Sequence, residues 1–133
     1  MQADFKHFGD TFFSLGRTFL AAGLVNEVRA EATRTLEALH PHIESGAAIV
    51  GLEPACLFTF RDEFLAMLPG EETEKLASRA LLFEEFLKKE HDAGKLNLPL
   101  QSIGKKKAML HGHCHQKAFA AMGAVESILS LII

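Results

Sequence analysis

Cysteine is scarce in this chain, with only Cys56 and Cys114 among 133 residues. Two thiols cannot build the disulfide framework of a small secreted domain, so a reducing, cytoplasmic setting is expected. The chain has no apolar span of about eighteen residues and no charged-then-apolar leader, so no direct membrane insertion is expected. A surplus of positive charge is missing too. The formal net charge is −3, and the lysines at 105–107 are too short a run to form a basic face, which argues against a nucleic-acid partner. Tryptophan and tyrosine are absent, and the eleven phenylalanines read as core. There is no Ser-His-Asp arrangement, "LGRTFLAAG" is too irregular for a phosphate loop, and no dinucleotide fingerprint follows a strand. A self-contained catalytic centre is therefore not expected.

What remains is enough apolar material, 48% of the residues, for one core in one domain. Residues 1–13 hold several phenylalanines without a clean period and form an irregular N-terminal segment. From Thr18 to about Ile43, apolar residues recur at threes and fours (Leu20, Leu24, Val28, Ala32, Leu36, Leu39), which predicts one long amphipathic helix broken near Pro41. "ESG" at 44–46 stops it, and "AAIVGL" has the form of a short buried strand ended by Pro54. "LFTFRDEFLAML" is helical in period up to Pro69-Gly70, with "RDE" at 61–63 as a solvated face. The spacing predicts another helix across "EETEKLASRALLFEEFLKKEHDAG", acidic at its start and basic near its end. After a loop, "AMLHGHC" reads as a second strand and "HQKAFAAMGAVESILSLI" as a closing helix. The pattern predicts an α/β fold, a small parallel sheet flanked by helices in Rossmann-like layers.

Within that pattern "AAIVGLEPACLFTF" and "KAMLHGHCHQKAF" look like two copies of one unit: strand, tight turn with one cysteine, helix. Parallel sheets place ligand sites at the carboxyl ends of their strands, so both cysteines are expected on one rim. At helix starts, both thiols should be somewhat more acidic than usual. Cysteine and imidazole together suit zinc or iron. His111, His113 and His115 would face one way on a continued strand and Cys114 the other, so one ion would not take all four. The alternative is that Cys56 is a small buried hydrophobe and the histidines belong to a turn. Spacing favours this alternative, since no paired-cysteine zinc pattern is present. Glu53, just before Pro54, is placed either to ligate a metal or, more economically, to cap the following helix.

Two segments, "GLEPACLFTFRDEF" and "HGHCHQKA", in this order and with the helix "LASRALLFEEFL" between them, resemble the cysteine-rich CCG domain. That domain occurs in the iron-sulfur subunits of glycolate oxidase and of anaerobic glycerol-3-phosphate dehydrogenase, and in heterodisulfide reductase. The chain is also similar to the C-terminal part of large FAD-linked 2-hydroxyacid oxidoreductases. Residues 14–131 carry the resemblance, so residues 14–133 are expected to form a partial CCG-type domain, a piece of a larger two-repeat one.

The resemblance implies an electron-transfer module that holds an iron-sulfur cluster or zinc and works beside a flavin-containing dehydrogenase subunit or domain, where the FAD resides. By position, Cys56 matches the closing cysteine of the first motif and Cys114 the opening one of the second. His113, His115 and Glu53 are the candidate completing groups. This sequence departs from the family pattern in three places. "SLGRTFLAAG" aligns with the first Cys-Cys-Gly-Arg segment, so Ser14 and Leu15 stand where the cysteine pair would be. Glu53 occupies a position that is cysteine in heterodisulfide reductases, and Ile133 is reached before a second Cys-Cys-Gly. A four-iron cluster takes about four thiolates, so two imply a partial or metal-free site. A structural or subunit-interaction domain, with zinc or no metal, is the competing expectation, and open sheet edges would favour a homo-oligomer.

Overall fold

The computed structural model describes residues 16–102, 104 and 107–132. Ser14, Leu15 and the opening segment 1–13 lie outside the described residues. The elements run α1 (Arg17–Ala21), α2 (Val25–Glu44), β1 (Ile49–Gly51), α3 (Pro54–Arg61), α4 (Glu63–Met67), α5 (Glu71–Arg79), β2 (Ala80–Leu82), α6 (Phe83–Asp92), α7 (Cys114–Ala118) and α8 (Met122–Leu129). This is an α/β fold in which a two-stranded parallel sheet is flanked by helices. Ile49, Val50 and Gly51 lie opposite Ala80, Leu81 and Leu82.

The expected first helix is two helices, parted at Gly23, whose φ of 74° is one that glycine adopts without a Cβ clash. Pro41 does not break the chain. It sits in the last turn of α2, where its missing N–H costs one hydrogen bond, and the helix runs on to Glu44. The stop is at Gly46, left-handed at φ 83°, whose N–H reaches the Ile43 carbonyl. Val28, Ala32, Thr35, Leu39 and Ile43 form the buried stripe of α2. With Leu57, Phe58, Phe60 and Phe64 from α3 and α4, Leu76 from α5, Ala80 and Leu82, and Ala121, its apolar residues form the core. Burying each large aliphatic or aromatic side chain contributes about 1.5–3 kcal/mol.

The strand expected at 108–114 is not there. Residues 107–113 form no strand, and Met109 is fully exposed. The partner of β1 is instead Ala80–Leu82, inside the stretch expected to be one helix. A helix through 71–94 would have kept those three residues in its own hydrogen bonds. The chain instead turns extended at Ala80, pairs with β1, and buries Ala80 and Leu82 completely. Helix propensity differs by only tenths of a kcal/mol per residue, so sheet pairing and burial override it.

Arg61 holds this interruption in place. Its guanidinium donates to the Ala80 carbonyl through Nε at 2.8 Å and to Glu85 through Nη1 and Nη2 at 3.1 and 2.6 Å. Glu85 in turn accepts the Leu82 N–H at 2.8 Å. The helix break thus leaves neither group unpaired, and Arg61 is not on a solvated face as its sequence setting suggested.

The closing helix is also divided. α7 ends in a Schellman arrangement in which the Ala121 N–H bonds the Gln116 carbonyl and the Ala120 N–H bonds that of Lys117. Ala120 has φ 54°, the one left-handed non-glycine among the described residues. Ala120→Gly is expected to raise stability by about 0.5–1 kcal/mol, because relief of the Cβ clash exceeds the added freedom of the unfolded chain. A fall in the urea midpoint would contradict that conformation.

Candidate functional site

The first half of the site is the start of α3, immediately beyond the carboxyl end of β1. Pro54 occupies the first helical position, where its ring presets φ and its missing N–H is not needed. Glu53 is the N-cap. Its carboxylate accepts the backbone N–H groups of Ala55, at 3.1 Å, and Cys56. Of the two roles open to Glu53 in the sequence, the structure shows capping. Partial burial opposes the charged carboxylate, yet hydrogen bonds from Cys56 and Ala55, with His113 nearby, hold Glu53 below the usual carboxylate range.

Burial, together with the same carboxylate, reverses the expectation for Cys56. Burial, the hydrogen bond to Glu53 and the negative charge of Glu53 push the thiol up to about 11, against a weaker opposing effect of Arg17. A helix start lowers a thiol pKa only when its positive end is not already neutralised, and here a capping carboxylate occupies it. At pH 8 the Cys56 thiol in the folded protein should therefore alkylate about a hundredfold more slowly than in urea, two units of thiolate population. Equal rates would show that neither burial nor Glu53 holds the proton on the thiol.

The sign of the stability effect follows. The folded state prefers the protonated thiol, so this contribution is full below pH 9 and is lost as pH rises from 9 towards 11. Cys56→Ala should flatten the fall in urea midpoint over that window.

The second half is the start of α7, at the end of the long loop and not at the end of a strand. His113 is its N-cap, with Nδ1 accepting the His115 N–H at 3.2 Å, while Gln116 Oε1 accepts the His113 N–H at 2.9 Å. This reciprocal capping is absent from the strand reading, which the irregular backbone at 107–113 replaces. His113 and His115 have their rings 5.2 Å apart, and His111 lies on the exposed loop. Cys114 is exposed, Cys56 half-buried, and both thiols are free.

These two helix starts meet. His113 Nε2 lies 3.8 Å from Glu53 Oε1, and Phe58 of α3 stacks on Phe119, just past α7, with centroids 4.4 Å apart and planes 4° from parallel. Arg17 at the start of α1 donates to the Ala55 carbonyl, adding a third segment. The common sheet rim expected for the two cysteine motifs does not form, since only Cys56 follows a strand; the two helix starts meet by helix packing instead. Sequence reasoning missed Gln116 and Glu84, which are hydrogen-bonded to each other. The capping-box spacing, a cap residue followed three positions later by Glu or Gln and here His113 to Gln116, was the available signal.

The donor set can be tested against a metal. No group of three or more histidine, cysteine, aspartate or glutamate side chains is arranged to hold an ion among the described residues. Glu53 and His113 Nδ1 are engaged as caps. Two thiols fall short of the roughly four a four-iron cluster takes, and closed zinc sites need about four ligands, so the described residues do not fit either group by themselves. Among the described residues no helix is long and apolar enough to cross a membrane. No protein-family model, curated protein or solved structure matches this chain.

Proposed function

We propose that this chain is a partial CCG-type domain from the electron-transfer part of a cytoplasmic FAD-linked 2-hydroxyacid oxidoreductase. Its partner is a flavin-containing dehydrogenase subunit or domain, which binds the FAD and the hydroxyacid. The observation that supports this reading is that the two resembling segments, far apart in sequence, meet at Glu53 and His113, with Arg17 of the segment aligned to the first Cys-Cys-Gly-Arg reaching the Ala55 carbonyl. On this reading Cys56 and Cys114, each in the first turn of one of the two helices that meet, are the thiols of the centre, with His113, His115 and Glu53 as its completing groups. Ligands from a partner or a second copy are needed to complete an iron-sulfur centre.

The presence of two cysteines where a four-iron cluster takes about four favours a second reading, a structural or subunit-interaction domain with zinc or no metal, whose open sheet edge docks its partner. Elemental analysis and a visible spectrum separate the two, on protein purified without air and reconstituted with ferrous iron and sulfide. The electron-transfer reading expects bound iron with broad visible absorbance, lost in Cys56→Ser and in Cys114→Ser. Zinc alone, or a colourless protein in every preparation, overturns it and leaves the interaction domain.

A further inference from the structure

The two cysteine-bearing helices are tied to one place, the first turn of α6. Arg61, at the end of α3, binds Glu85 through two nitrogens. Gln116, in α7, donates from Nε2 to Glu84 Oε1. Adjacent carboxylates thus grip the helix of Cys56 on one side and that of Cys114 on the other. These groups are not loose on the surface: Arg61 and Glu85 are about one-fifth exposed, and Gln116 is 9% exposed.

Gln116 has both ends of its amide in use. Its oxygen takes the His113 N–H at 2.9 Å and its nitrogen meets Glu84, which fixes the orientation of the amide and the entry of the chain into α7. The loop before α7 has no other regular structure, since residues 95–113 form no helix or strand among those described. Helix α7 is only five residues long and cannot hold its own start in place.

We propose that Glu84 and Glu85 form a clamp that sets the position of Cys114 relative to Cys56, with Gln116 as the positioning residue on the Cys114 side. The link to a redox centre rests on the reading under Proposed function, whereas the clamp itself does not. Its geometry also explains why glutamine at 116 pairs with a carboxylate at 84: one amide must accept from a backbone N–H and donate to a neighbour at the same time. Glutamate at 116 could still accept from His113 but would face Glu84 with like charge. Glutamine at 84 would then restore the pairing with donor and acceptor exchanged.

The test is amide hydrogen exchange on Gln116→Glu, Glu84→Gln and the double variant, in the full chain. In Q116E, exchange of residues 113–118 should accelerate about tenfold or more while the α2 amides keep wild-type protection. The double variant should return residues 113–118 to within about twofold of wild type, the pattern of a specific pair instead of general loosening. Wild-type protection of residues 113–118 in Q116E, or no recovery in the double variant, would overturn the clamp. The same proteins are reconstituted with iron and sulfide. Absorbance lost in Q116E and regained in the double variant ties the clamp to the redox centre, whereas no absorbance in wild type ends the electron-transfer reading and leaves the exchange result to decide the clamp.

Discussion

Phe58→Ala is expected to remove about 3–5 kcal/mol, a large share of the roughly 5–15 kcal/mol that holds a domain folded. Phe58 is 1% exposed and lies in the middle of the core. Its ring stacks on Phe119 on one side, and the Arg61 guanidinium sits 5.1 Å from its centroid. Truncation removes the transfer energy of the ring, leaves a cavity that α3 and its neighbours cannot close without moving, and deletes a stacked pair worth about 0.5–1.5 kcal/mol beyond its area. Urea denaturation followed by circular dichroism measures the loss, and Phe58→Leu, which refills much of the space, should lose less. Phe119→Leu, alone and combined with Phe58→Leu, isolates the stack. Strictly additive losses would show that the rings do not pair in solution.

Arg61→Met is the second large effect, a loss of about 2–3 kcal/mol. A fully buried ion pair broken on one side costs about 3–5 kcal/mol, and one-fifth exposure of both partners places this pair below that range. Methionine keeps the length and apolar stem, so the loss reports the guanidinium: the carboxylate of Glu85 is left without its cation and the Ala80 carbonyl without the Nε donor at 2.8 Å. Glu85→Gln should cost less, because an amide oxygen still accepts from Leu82 N–H and from Arg61. A loss below about 1 kcal/mol for Arg61→Met, or one that vanishes in about 1 M salt, would mean the pair behaves as an ordinary surface ion pair.

The Arg61 effect falls where the sequence was hardest to read. The run "ASRALLFEEF" has the composition of a helix, and nothing local marks Ala80–Leu82 as a strand. That assignment depends on β1 lying alongside and on Arg61, nineteen residues earlier, taking the Ala80 carbonyl. The run "AMLHGHC" has a strand's composition but no partner edge, because β2 has taken the place beside β1. Strand status is a pairing property, so a short apolar segment cannot declare it alone. For the same reason the chemistry of Cys56 was misjudged. Its place at a helix start was legible, but its burial and the carboxylate capping that start govern its proton.

The sequence by itself determined those features whose causes lie within a few residues. They include the apolar stripe of α2 and its stop at Gly46, the start of α3 at Pro54 and the cap at Glu53. Each depends on local spacing, backbone restriction or a side chain reaching its own helix end. Tertiary structure alone decided which segment pairs with β1, that Glu84 and Glu85 grip two separate helices, and that His113 lies beside Glu53. These depend on groups tens of residues apart, whose meeting is set by the packing of the core around Phe58, Phe64 and Leu82.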